Sequence, residues 1–130
     1  MITRRNPATI AKPIGRYHHG VQVPPNARLL YISGQLGMNP DGTAATTPAE
    51  QIERVFQNIL AILKDNDMGP EDLVKTVTFL TRREDVAVFR EIRGRMFPNT
   101  AIDPAATLVF ISGLADPKWF VEVEAVAAKV

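Results

Sequence analysis

One stretch constrains this chain more than any other. From Thr47 the sequence gives a helix start and then a single apolar stripe. Thr47 is a capping hydroxyl, Pro48 suits the first helical position, and Glu50 stands where a capping-box acid reaches back. Ile52, Val55, Phe56, Ile59, Leu60 and Leu63 then recur at three- and four-residue spacing. Residues so spaced share one side of a helix. Gly69 and Pro70 follow and help to stop it. Such a stripe must be buried, so the rest of the chain has to supply a surface for it.

The surface is predicted to be a sheet. His18 to Val23 alternates in part, and Arg28 to Gly34 is apolar and β-branched. Pro24, Pro25 and Asn26 lie between them, as in a hairpin loop. Asn6 to Pro13 reads as an irregular lead-in, and Gly37 to Thr46 as turns. Leu73 to Leu80 alternates and reads as a strand. Thr81 and Glu84 suggest a second capping box before Val86, Phe89, Ile92 and Met96, which hold helical spacing. Thr107 to Ile111 and Trp119 to Ala127 read as two closing strands. The order strand, strand, helix, strand, helix, strand, strand predicts an α+β fold: one sheet with two helices on one face. Leu29, Leu30, Tyr31 and Ile32 put apolar groups on both sides of a strand. The uncovered face therefore needs a partner, and a homo-oligomer is expected.

Composition narrows the function. The 130 residues suit one domain, 1–130. Fifteen basic and fourteen acidic residues leave a net charge of +1. No basic stripe is present, so nucleic acid is not an expected partner. With no cysteine, thiolate metal sites and thiol nucleophiles are excluded. One histidine and one glutamate in a cleft are too few for a zinc site, so no metal is expected. Apolar runs are too short to span a bilayer, and the N-terminus lacks the apolar core of a secretory signal. The expected location is cytoplasmic.

Several short pieces then line up in order. They are Ile14-Gly15-Arg16-Tyr17, Tyr31-Ile32-Ser33-Gly34-Gln35, Val74-Lys75-Thr76-Val77-Thr78-Phe79-Leu80, Pro104-Ala105 and Val121-Glu122-Val123-Glu124-Ala125. Across nearly its whole length the chain resembles the RidA/YjgF superfamily. The resemblance implies a chorismate mutase-like fold and a homotrimer with clefts between subunits. It implies hydrolysis of small reactive enamines or imines, without a cofactor. Some members carry the name endoribonuclease or translation inhibitor.

The departures are as informative. The signature loop of typical deaminases reads proline-alanine-arginine, and the arginine holds the substrate carboxylate, a task suited to a planar two-pronged donor. Here Ala106 stands in its place. Truncating one partner of such a buried charge pair costs about 2–5 kcal/mol. Arg90 stands where the second helix usually carries asparagine, and Leu108 and Phe110 make one pocket wall more apolar.

By the resemblance, Glu122 positions the attacking water and Tyr17 orients substrate, as the catalytic pair. A strand glutamate can equally be a solvated one, and Glu124 fits that description. A tyrosine can equally sit in the core with its hydroxyl satisfied. Ser33, Gly34, His19, Arg90, Ala106 and Thr107 are candidates to contact a small-molecule ligand. Gly34 permits close backbone approach, although a serine-glycine pair is also ordinary turn chemistry. His18 and His19 are neighbours, so on a strand only one enters a given cleft. Arg90, like Arg93 and Arg95, suits a solvated helix side. Trp119 is expected to pack in the core or an interface.

Overall fold

The computed structural model describes residues 1–130. Its main sheet has four strands: β3 (Arg28–Leu36), β4 (Leu73–Leu80), β5 (Ala105–Phe110) and β6 (Val121–Lys129). Their spatial order is β3-β6-β4-β5. β6 runs antiparallel to both neighbours, and β4 pairs with β5 in parallel. Two helices, α1 (Pro48–Asp65) and α2 (Val86–Met96), cover one face. The α+β layer architecture matches the expectation.

α1 forms as its sequence dictates. The Thr47 hydroxyl accepts from the Glu50 amide, and the Glu50 carboxylate accepts from the Thr47 amide. The stripe packs on β6, where Val121, Val123, Ala125 and Ala127 all point the same way. Leu63, Val55 and Val121 are fully buried, each worth about 1.5–3 kcal/mol relative to exposure. α2 joins the layer through Phe89, whose ring lies 5.5 Å from that of Phe56. Gln51 is buried in the same layer and braces the loop into β6. It donates to the Ala45 and Lys118 carbonyls and accepts from the Phe120 amide.

Three expectations are corrected. The pair across Pro24–Asn26 is not a hairpin. Gly20–Gln22 (β2) pairs antiparallel with Thr3–Arg5 (β1), a strand the pattern did not suggest, and the two make a separate ribbon. Two consecutive prolines carry no amide hydrogen, so the chain around them cannot donate to a ladder. The second capping box does not form. Thr81 still donates its amide to Phe120 and so prolongs the strand region. A turn of 3-10 helix at Arg83–Asp85 precedes α2 instead, and Arg82 grips the Asp85 carboxylate with two hydrogen bonds. The last strand starts at Val121 rather than Trp119. Trp119 is nonetheless only 5% exposed, in agreement with core packing.

The other face of the sheet has no cover within the chain. Tyr31 is 74% and Leu29 52% exposed there. No helix is long and apolar enough to cross a membrane.

Candidate functional site

The predicted residues gather in two places rather than one. The first is on the open face. Between Ile32 and Gln35 the register of β3 shifts against β6. Ile32 faces Ala125 and Gln35 faces Val123, so Ser33 and Gly34 together oppose Glu124. Two residues against one define a β-bulge. The bulge brings the Gly34 backbone onto the neighbouring Glu122. A side-chain carbon built at Gly34 would overlap the Glu122 carboxylate. A larger residue there would have to displace the Glu122 side chain, which lies half-buried against the glycine. The Glu122 carboxylate takes part in no ion pair. Ser33 is exposed and shares a groove of about 340 Å³ with Tyr31, Lys75 and Glu124.

The second place lies at the opposite edge, along β5. The segment Arg16–His18 straps onto the residues just before that strand. The His18 amide donates to the Pro104 carbonyl, and the His18 ring Nδ1 lies 2.7 Å from the Asp103 carbonyl oxygen. Arg16 forks onto Asp103: Nε reaches Oδ2 at 2.8 Å and Nη2 reaches Oδ1 at 2.7 Å. Nη2 also donates to the Phe97 carbonyl at 2.6 Å. The hydrogen bonds to Asp103 hold the Arg16 guanidinium above its ordinary pKa, against the opposing effect of burial. The Tyr17 hydroxyl accepts from the Ile14 amide at 3.3 Å, and its ring meets His19 edge-on at 5.6 Å. The exposed His19 places Nε2 2.8 Å from the Ala11 carbonyl oxygen.

Beneath this strap a cavity of about 60 Å³ opens between the helices and the β4–β5 edge. Ala106 and Leu108 lie on its strand side, because alternate β5 residues face the helices. Thr107 turns its hydroxyl to the other face, where it accepts from the Lys75 ammonium at 3.0 Å.

At this cavity α2 contributes a basic residue, and Arg90 keeps to the solvated side expected for it. Arg90 is exposed and does not line it. Arg93, nearly one turn further on, does. The signal was present in the sequence. Phe89, Ile92, Arg93 and Met96 form one i, i+3, i+4, i+7 stripe, so a cation was written into the buried side of α2. Arg16 and its partner Asp103 are 87 positions apart, and no spacing rule reaches that far.

One chain does not join the two places. Glu122 lies on β6, while the Tyr17 strap is anchored beyond β4, outside the β5 edge. Within one chain Tyr17 and Glu122 therefore belong to opposite sides of β4. No group of three His, Asp or Glu side chains is arranged to hold a metal ion.

Comparison with known proteins places the chain. Residues 8–129 match the family described as endoribonuclease L-PSP. The chain belongs to this family, the RidA/YjgF superfamily. It is 34% identical to a RutC family protein of Leuconostoc mesenteroides subsp. cremoris, over 82% of each chain. It is 32% identical to a RutC family protein of Aquifex aeolicus, over 90% of this chain and 91% of that one. Among solved structures, RidA of the Antarctic bacterium Psychrobacter sp. PAMC 21119 is similar at a TM-score of 0.72 and 31% identity, covering 89% of this chain and 90% of that one. A Rid-family protein of Yersinia pestis shares the fold at a TM-score of 0.86, with 24% identity and 98% of each chain covered.

Proposed function

We propose that this protein is a RidA-like hydrolase of altered specificity, acting on a small reactive enamine or imine in a cleft completed by a second copy of the chain. The observation that carries the reading is the seat of Glu122. Its side chain is half-buried in the space left by the missing side chain of Gly34, and it enters no ion pair. A carboxylate so placed has acceptor capacity available to hold a water molecule. An enamine first becomes its imine, gaining a proton on carbon and losing one from nitrogen; the water then adds to the carbon of the C=N bond while the nitrogen takes up a proton. The carbinolamine then breaks its C–N bond, and a carbonyl compound and ammonia leave. In this reading a trimer supplies Tyr17 from the neighbouring copy, and the apolar, exposed Leu29 and Tyr31 face that neighbour.

The test is an assay with enzymatically generated 2-aminoacrylate and a panel of related imines. Faster keto acid formation than in buffer, lost in Glu122→Gln, supports the reading. A well-folded protein that accelerates none of them sinks it. A second reading, a binding trimer without turnover, is favoured by Ala106, whose methyl replaces the carboxylate clamp of typical deaminases. A thermal shift with keto acids but no hydrolysis selects it. Cleavage of RNA by a highly purified preparation, abolished by Glu122→Ala, would replace both readings, against the near-neutral net charge of +1.

A further inference from the structure

The cavity under the strap holds one cation too many. Arg16 is neutralised by Asp103 through a two-pronged ion pair. Arg93 has no such partner. It enters no ion pair, and its Nε is buried without any hydrogen bond. Its guanidinium stands 5.7 Å from the centre of the Phe89 ring, a weak contact for a charge. Burial is the chief influence pulling its pKa down, repulsion from Arg16 adds to that, and the attraction of Asp103 offsets only part of it. Holding an uncompensated charge half out of water is unfavourable, and buried charges are ordinarily paired. The one carboxylate at the cavity, Asp103, is already engaged by Arg16, so a second anion would have to come with a ligand.

We infer that Arg93 is the anion-binding residue of this cavity, and that its ligand is a small monocarboxylate with a short apolar stem. A guanidinium presents a planar fork of donors that matches a carboxylate. Phe56, Ile59, Phe89 and Leu108 make much of the remaining wall apolar, which suits a hydrocarbon stem and not a second charge. A net surplus of one positive charge fits a monoanion better than phosphate. Arg93 approaches from α2, whereas Ala106 closes the strand side where a β5 side chain would otherwise project. The inference rests on the proposed function only in that this cavity, floored by Ala106, forms part of the proposed cleft. It extends that reading by naming the residue that grips the acid end.

The experiment is calorimetric titration of isobutyrate, 2-oxobutyrate and inorganic phosphate into the wild type, Arg93→Met and Arg90→Met. The Nε–H resonance of Arg93 is followed by NMR in parallel. The wild type should bind the carboxylates and move that resonance. Arg93→Met should weaken binding by about tenfold to a hundredfold, the worth of hydrogen bonds to a charged group. Arg90→Met removes only a distant exposed charge and should leave the affinity within about twofold. Without ligand, Arg93→Met should melt at the wild-type temperature or higher, since the surplus charge is gone. A purely structural arginine would give a lower melting temperature in that variant. Equal carboxylate binding by Arg93→Met, an unmoved Nε–H signal, or binding of phosphate alone overturns the inference. The two proposals fail separately. Carboxylate binding through Arg93 without imine hydrolysis leaves this inference standing and removes the hydrolase. Hydrolysis with Arg93→Met binding unimpaired does the reverse.

Discussion

The two faces of the main sheet are made by the same strands, residue by alternate residue. On the helix side β6 presents Val121, Val123, Ala125 and Ala127, each 4% exposed or less. On the other side it presents Glu122, Glu124 and Val126 among Lys75, Thr107 and Tyr31. The covered face is filled by apolar stripes from α1 and α2, so its residues are fixed by packing. The open face carries ionisable groups, a bulge and exposed aromatic surface, features that packing alone does not ask for. Stability resides on the first face, and candidate chemistry on the second and at the edge of the sheet.

That division can be broken or sharpened by substitution. The largest effect is expected on the covered face. Leu63→Ala removes a fully buried side chain and should lower unfolding stability by about 2–5 kcal/mol, read from urea denaturation. A loss well under 1 kcal/mol would show that α1 is not the main cover. At the boundary, Gly34→Ala puts a methyl where the Glu122 carboxylate lies; that side chain must swing to another rotamer, at a cost of about 0.5–1.5 kcal/mol. Adding Glu122→Ala should restore most of that loss, because the two residues compete for one space. Strict additivity would disprove the contact. The smallest effect belongs to the open face. Tyr31→Ser, at a site 74% exposed, should leave the chain's own stability within about 0.5 kcal/mol. Its self-association in sedimentation equilibrium should nonetheless fall. Unchanged association would place the copy-to-copy contact elsewhere.

Much of the fold was legible because burial leaves a period in the sequence. The stripe from Ile52 to Leu63 and the alternation from Val121 to Ala127 each declared an element and a face. β1 was not legible. Its three residues, Thr3-Arg4-Arg5, carry no apolar alternation, and the ribbon they form lies outside the main sheet. The site was legible in part. Glu122, Ser33 and Gly34 were named from the sequence and do cluster. Their neighbourhood depends on a bulge, which shifts register by one residue and leaves little local trace. Arg90 was weighed both as a ligand contact and as a solvated residue; in one chain it is exposed, while Arg93 lines the cavity. Both sit on one helix, and the choice turned on which side of it Phe89 shares.

The strand order has a consequence for how the molecule comes into being. β6 is the last of the sheet strands to be synthesised, yet it lies between β3 and β4, and Arg28 pairs with Lys129. Until it arrives, β3 has no partner in the main sheet and α1 lacks much of its floor. A nascent chain that stalls before residue 121 therefore exposes an apolar helix and an unpaired strand edge, both open to association with other chains. Closure must join distant segments, which slows folding. On the ribosome this protein should become protease-resistant late and nearly all at once.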